Sequence, residues 1–185
     1  DLLYNLSTGE TKTLIAPDSM RTGVVSLLDE KTALIAATDD SYKDTTKYCD
    51  FYHMDLADGS MKLIHPYESS IGGSSVGSDS RFGAGQTFRA VDGEFYYIST
   101  VEDFSHLYKI SRGGTVSGPL TAGSSCDSFD LAGGHIASME FHGLHIAELF
   151  VDGEQVTHMN DWLTDEYDVQ TPEAFSFTAS DGYEI

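Results

Sequence analysis

The chain has 185 residues, and its 30 Asp and Glu residues against 10 Lys and Arg residues give a formal charge of −20. This charge argues against nucleic-acid binding, because contacts to phosphates need a basic surface, and it argues against an anionic membrane surface for the same reason. A hydrophobic content of 40% and a charged content of 22% are typical of a folded globular chain, and no apolar stretch approaches the roughly 18 residues of a membrane span.

Strand signals dominate the chain, and helix signals are scarce. No long stretch places apolar residues at the i, i+3, i+4 and i+7 spacing of an amphipathic helix. Three segments are short and apolar, aromatic or alternating, and they lie at 32–38, 94–100 and 135–141. Each follows a tight turn, and the strand candidates before those turns lie at 24–28, 87–91 and 128–131. The pattern predicts three β-hairpins.

A second pattern recurs along the chain. An aromatic or apolar segment leads into a polar turn with glycine, and an apolar residue or Thr follows that turn. The turn glycines Gly9, Gly59, Gly113 and Gly153 lie 50, 54 and 40 residues apart. A four-stranded unit at this period is typical of a β-propeller, in which each blade buries its faces against its neighbours.

We therefore predict an all-β fold, a partial β-propeller of about three and a half four-stranded antiparallel blades within residues 1–160. The half-blade and the blades are expected at 1–17, 21–67, 86–122 and 127–159. Residues 161–172 are acidic, end in Thr171-Pro172, and are expected to form a linker. Residues 174–180 alternate as a new strand, and Asp181-Gly182 is expected to turn the chain into a return strand at 183–185.

The last third of the chain carries motifs that point to a known family. They are SFD at 128–130, IA at 136–137, ELFVDG at 148–153, VTHMN at 156–160, PEAFSF at 172–177 and SDGYEI at 180–185. In this order, and with the join at 175–185 directly after a last blade, the chain resembles serine peptidases of the prolyl oligopeptidase family. Within that family it is most similar to the acylaminoacyl-peptidase and dipeptidyl-peptidase branch.

The resemblance implies a propeller that caps an α/β-hydrolase domain with a Ser, Asp and His triad in that chain order. Residues 173–185 would begin that domain, and the triad would lie beyond Ile185. The whole protein would hydrolyse short peptides, and this chain would be a non-catalytic part that gates access. We then expect no catalytic, cofactor-binding or metal-binding residue here. The alternative is a non-enzymatic β-propeller scaffold for protein–protein interaction.

One motif matches the sequence pattern that surrounds a catalytic serine. Residues 73–77, GSSVG, match the G-x-S-x-G pattern around Ser75. That pattern acts as a nucleophile elbow only on a sharp strand-to-helix turn. No apolar strand precedes it, and the residues after it do not read as a helix, so no catalytic role is expected for Ser75.

Four potential metal ligands lie close together in the sequence. Glu140, His142, His145 and Glu148 fall within nine residues. Strand positions three apart point to opposite faces, and Gly143 indicates a tight turn between the histidines. We therefore predict a solvated hairpin tip rather than a metal site, and a solvated linker rather than a calcium site for the acidic run at 161–168.

Two connections that carry aromatic residues are candidate substrate-facing loops, because long connections carry function more often than blade cores do. They span 42–48 and 101–106. The other aromatic residues are expected to pack between blades.

Cysteine usage and the N-terminus bear on location. Cys49 and Cys126 form neither a disulfide framework nor a zinc cluster, which favours free thiols in a reducing compartment. No signal-peptide pattern is visible at the start of the chain, and we expect a cytoplasmic protein. We also expect self-association through the half-blade at 1–17 and the strand at 174–178.

Overall fold

The computed structural model describes residues 1–16, 19–39, 49–67, 69, 71, 85–101, 104–123, 125–143, 145–170, 173 and 175–185. Strand accounts for 53% of these residues and helix for 3%, which confirms the all-β class. Among the helices of this described part, none has the length and apolar character that a membrane crossing requires.

The described strands follow in chain order. They are β1 (Leu2–Tyr4), β2 (Thr11–Thr13), β3 (Met20–Leu27), β4 (Thr32–Asp39), β5 (Asp50–Asp55), β6 (Met61–His65), β7 (Phe88–Val91), β8 (Glu94–Val101), β9 (Phe104–Ile110), β10 (Val116–Ser117), β11 (Ser125–Ala132), β12 (His135–His142), β13 (His145–Val151) and β14 (Glu154–Gln155). A short helix, α1 (Trp162–Glu166), follows them.

The strands form three sheets. β1 and β2 pair with each other, and β3 to β6 form a four-stranded antiparallel sheet in chain order. β7 to β14 form one eight-stranded sheet, in which two antiparallel groups meet where Ser105 of β9 pairs with Ser125 of β11 in parallel. The antiparallel sheets agree with the predicted class, while the propeller, its number of blades and its boundaries stay predictions.

The three predicted hairpins are confirmed as β3–β4, β7–β8 and β11–β12. Their turns use residues suited to positive φ or to local hydrogen bonds. Asp92 and Gly93 have φ of 51° and 79°, as the turn between closely paired antiparallel strands requires. In the β3–β4 turn, Oδ1 of Asp29 accepts the backbone N–H groups of Lys31 and Thr32, both at 2.8 Å.

The largest apolar cluster lies between the sheet β3–β6 and the strands β7–β10. Leu34 and Phe51 from the first sheet pack with Phe95, Tyr97 and Ile110 from the second, and all five are buried. The ring centroid of Phe51 lies 6.1 Å from that of Phe95 and 5.1 Å from that of Tyr97. Alternate residues of a strand face the same side, so Phe95 and Tyr97 both reach this cluster between the two sheets, while the expected packing between blades stays a prediction.

Contacts around this cluster fix how the two sheets meet. Nη2 of Arg112 donates to Oδ2 of Asp29 at 2.6 Å, although 83 residues separate the two in sequence. Gly114 has φ of 89°, and a Cβ atom at this position would lie 2.2 Å from the carbonyl oxygen of Ile64. The backbone of one sheet therefore approaches the other more closely than any side chain at residue 114 would allow.

The C-terminal region contains one short helix that the sequence pattern did not indicate. α1 lies within the segment predicted to be a linker, 161–172, and is closed by local bonds such as Asp165 N–H to the Asp161 carbonyl at 3.2 Å; the linker itself stays a prediction. One helical turn is too short to show the period used to predict helices. Within the predicted strand at 174–180, residues 177–179 pair with 183–185. Phe177 and Ile185 exchange backbone hydrogen bonds at 3.0 and 2.9 Å, and Thr178 forms an antiparallel bridge with Glu184. The predicted turn at Gly182 is present, with φ of 91°. The expected self-association stays a prediction.

We predict that Phe51→Ala lowers the free energy of unfolding by about 3–5 kcal/mol, because it leaves a cavity between the sheets. Urea unfolding followed by circular dichroism measures this change. Phe175→Ala is the matched control, because its ring is 82% exposed, and its effect should stay within about 0.5 kcal/mol. Equal losses in both variants would contradict this account of the core.

Candidate functional site

One end of the eight-stranded sheet gathers several chain connections. The end of β8, the starts of β9, β11 and β13, the end of β12, the described connection 118–123 and the segment 157–160 all lie there. Buried polar residues concentrate in the strands and connection that reach this end. They are Ser99, Ser105, Thr121, Ser125, Ser138, Glu140 and Glu148. Buried polar groups need hydrogen-bond partners, so these residues constrain how the connections lie.

Glu140 holds the connection into β11. Its side chain is 1% exposed. Oε2 accepts the backbone N–H of Gly123 at 3.0 Å and lies 2.9 Å from Nε2 of His142, and Oε1 accepts the hydroxyl of Ser138. Three donors on one carboxylate compensate for its removal from water. The imidazole of His142 also stacks on Phe150, with ring centroids 4.3 Å apart.

Glu148 holds the segment that follows β14. Its Oε1 accepts the backbone N–H of Asn160 at 2.7 Å, and its Oε2 accepts the hydroxyl of Thr157. Burial is the largest single influence and opposes ionisation, but the bonds from Thr157, Asn160 and the Met159 backbone together lower the pKa of Glu148. The carboxylate is therefore the stable form in the folded chain.

The two carboxylates belong to one arrangement, because Glu140 and Glu148 are direct partners in the β12–β13 pairing. One binds the chain on its way into β11, and the other binds the chain after β14. The predicted solvated hairpin tip is therefore wrong for both glutamates, since the segments that they bind also cover them. Over the described residues, no group of three or more His, Cys, Asp or Glu residues is arranged to hold a metal ion.

A shallow depression of about 440 Å³, widely open to solvent, lies at the same end of the sheet. We call it the His106 pocket, and its lining is Phe104, His106, Pro119, Thr121, Ala122 and Gly123. The rings of Phe104 and His106 stack with centroids 6.0 Å apart and an interplanar angle of 24°. The opposite residues come from the connection into β11, so the pocket lies between a strand and a fixed connection.

Hydrogen bonds and burial set the state of His106. Oγ1 of Thr121 accepts the backbone N–H of Leu107 at 3.1 Å and lies 3.3 Å from Nδ1 of His106. Burial lowers the pKa of His106, against a smaller opposite effect from the charge of Glu140. The imidazole is therefore neutral at pH 7, and none of the described lining residues carries a charged side chain.

Gly123 joins the pocket to the buried carboxylate. A Cβ atom at this position would lie 2.5 Å from the carbonyl oxygen of Phe141 and 2.8 Å from the ring of His142. Only glycine allows this approach, which also brings the Gly123 N–H to Glu140. The pocket wall at Ala122 and Gly123 therefore rests directly on the end of β12.

Some of the predicted site residues line the pocket, and others lie outside the described residues. Phe104 and His106 came from a predicted substrate-facing loop, but the structure places them in β9, where they line the pocket. The other predicted loop, at 42–48, and Ser75 lie outside the described residues. Sequence reasoning did not find the segment 119–123, whose only signal was the turn dipeptide Gly118-Pro119.

Comparisons with known proteins give a likeness of fold. No protein-family profile matches the chain, and no curated protein matches it. The fold matches the crystal structure of puromycin hydrolase with a TM-score of 0.59 at 16% sequence identity. It also matches a Ser-to-Ala variant of puromycin hydrolase complexed with PGG, with a TM-score of 0.60 at 15% identity.

Each match covers 95% of this chain and 26% of the other chain. This chain therefore spans about a quarter of the length of puromycin hydrolase, a protein of the prolyl oligopeptidase family. At this identity the likeness is one of fold, and it supports the family resemblance at that level.

We predict that Glu148→Gln lowers stability at pH 7 by about 1–3 kcal/mol, because an amide replaces one acceptor with a donor that faces the donors of segment 157–160. Since the folded pKa lies below the ordinary value of 4.5, the stabilisation is present above pH 4.5 and is lost as the pH falls through the folded pKa. Urea unfolding between pH 3 and pH 7 should show a weaker acid dependence in the variant. Glu154→Gln, at an exposed position, should behave as the unchanged chain does.

We also predict that His106 in the folded chain becomes half-protonated below its ordinary pKa of 6.5. Between the folded pKa and 6.5, the unfolded chain binds up to one proton more at this residue than the folded chain does. The free energy of unfolding therefore falls as the pH falls through this interval. Nuclear magnetic resonance of the imidazole carbon signals measures the midpoint. A midpoint at or above 6.5 would contradict the burial of the ring.

Proposed function

We propose that this chain is the non-catalytic propeller portion of a serine peptidase of the prolyl oligopeptidase family. The whole protein hydrolyses short peptides, and this portion restricts their access to a Ser, Asp and His site in the part of the protein that follows Ile185. The carrying observation is the likeness of fold to puromycin hydrolase across 95% of this chain.

The way the chain leaves the sheet supports this proposal. Glu148 fixes segment 157–160 at the end of the sheet that carries the His106 pocket. From there the chain continues through α1 to residues 175–185, which resemble the start of a hydrolase domain. In the proposed protein, the end with the pocket and the connections is therefore the end that faces the catalytic domain.

The buried carboxylates suit this role. A gate must keep its shape beside a moving peptide, and loops at a sheet end are ordinarily the most mobile part of a fold. Here Glu140 and Glu148 tie the connection at Gly123 and the segment at Asn160 to neighbouring strands. The rim of this end is thereby held by buried, charge-assisted hydrogen bonds, which are stronger than neutral ones.

The test begins with the coding sequence after Ile185. We expect a G-x-S-x-G motif between a strand and a helix, followed by an Asp and a His. The whole protein should cleave short blocked peptides, cleave unfolded polypeptides far more slowly, and lose activity when the motif serine becomes Ala. A stop codon soon after Ile185 would instead favour the non-enzymatic scaffold, and equal cleavage of long and short chains would contradict the gate.

The 185-residue chain by itself should cleave no peptide. Activity above background that disappears in Ser75→Ala would contradict this expectation and assign a catalytic role to Ser75. Activity that survives in Ser75→Ala would point to a contaminating peptidase and is checked by repeating the purification.

A further inference from the structure

We propose that the His106 pocket binds an uncharged aromatic side chain of a peptide. This inference deepens the proposed function and rests on it for the choice of a peptide as the ligand. Its experiment uses direct binding to the 185-residue chain, so its outcome does not depend on whether the whole protein is a peptidase.

The shape of the pocket suits a flat ring. Phe104 is 44% exposed, although it stacks on His106 at an interplanar angle of 24°. One broad side of this pair is thus available for a third ring, and offset stacked rings attract each other beyond the effect of buried area. The depression is shallow and open to solvent, which suits one face of a ring, and the small residues Ala122 and Gly123 leave the space open.

The described lining of the pocket favours an uncharged ligand. None of its six lining residues has a charged side chain at pH 7, since burial keeps the imidazole of His106 neutral. Glu140 lies behind Gly123, and its carboxylate already accepts bonds from Gly123, Ser138 and His142. A cationic side chain would find no free carboxylate among these residues, and the formal charge of −20 opposes an anionic ligand.

One polar group of the pocket, Nε2 of His106, is available to orient a bound ring. The contact of His106 with Thr121 uses Nδ1 of the ring, and no bond to Nε2 is formed by the residues that the structure describes. A ring held against Phe104 would therefore lie beside an imidazole nitrogen suited to one hydrogen bond. This combination of an apolar wall and one polar group is the usual composition of a specific small-ligand site.

The experiment titrates the isotope-labelled chain with N-acetyl-phenylalaninamide at pH 7 and follows the backbone and imidazole signals by nuclear magnetic resonance. N-acetyl-alaninamide is the ligand control, because it has the same blocked backbone without a ring. We expect saturable shifts of the signals from residues 104–106 and 119–123 with the first probe only.

Variants then locate the site. Phe104→Ala should weaken binding about fivefold through the lost stacking partner. Phe88→Ala is the matched control, because Phe88 is also a strand phenylalanine and is 40% exposed, and it should leave the affinity unchanged. Ala122→Phe fills the pocket from an exposed position, so the chain should stay folded and lose binding even if Phe104→Ala were to unfold.

Several outcomes would overturn the proposal. They are the absence of saturable shifts with the aromatic probe, equal shifts with both probes, or equal weakening by Phe88→Ala and Phe104→Ala. Shifts of the pocket signals on simple concentration of the chain, without any probe, would show that a second copy occupies the pocket instead. Aromatic binding in a protein that proves to have no hydrolase domain would leave this inference standing and refute the proposed function.

Discussion

The contact between the rings of Phe51, Phe95 and Tyr97 is the interaction on which the arrangement of the two larger sheets depends. A small antiparallel sheet cannot bury both of its faces by itself, and must place one against a neighbour. Phe51 reaches both rings of the other sheet, with centroids at 6.1 and 5.1 Å. The ion pair of Arg112 with Asp29 and the close approach of Gly114 to Ile64 require the spacing that these rings set.

At the end of the eight-stranded sheet that carries the His106 pocket, buried carboxylates hold the connections in place, as aromatic rings hold the two sheets together in the core. A buried carboxylate is unfavourable unless several donors surround it. The donors for Glu140 and Glu148 come largely from segments outside the strands, at Gly123, Thr157 and Asn160. Each carboxylate therefore needs its segment, and each segment is fixed by its carboxylate. If either partner is removed, the other is left buried without its hydrogen bond, and the free energy of unfolding falls.

The sequence predicted the parts of the fold that depend on local patterns. The hairpins at 87–100 and 128–141 follow from alternating apolar residues and from turn residues such as Asp92-Gly93, whose positive φ values are a local property. The burial of Glu140 and Glu148 could not be predicted in this way. It depends on Gly123 and Asn160, which lie 17 and 12 residues away, and nothing in the local pattern of β12 or β13 records those partners.

The candidate site also combines features that local patterns predict with features that depend on residues distant in sequence. The connection with Phe104 and His106 is predicted to face substrate because connections carry function more often than blade cores do. Pro119, Thr121 and Ala122, which line the pocket with them, have no side chains that suggest a function. Local pattern also placed Phe104 and His106 in a loop, because it could not show that β9 pairs with β8 as far as Phe104 opposite Val101. A pocket between two segments is a property of their packing, and packing partners distant in sequence leave no periodic signal.

His106 is neutral because the effect of burial on its pKa outweighs the effect of a nearby buried carboxylate. In a chain with a formal charge of −20, a histidine near a glutamate would ordinarily be drawn toward its charged form. The charge of Glu140 acts on His106 in that direction, but less strongly than burial does. Glu140 lies 2.9 Å from Nε2 of His142 and 3.0 Å from the Gly123 nitrogen, so nearer donors than His106 already surround its carboxylate. Burial therefore leaves His106 uncharged beside Phe104, while the bonds of Glu140 hold the pocket wall at Gly123 in place.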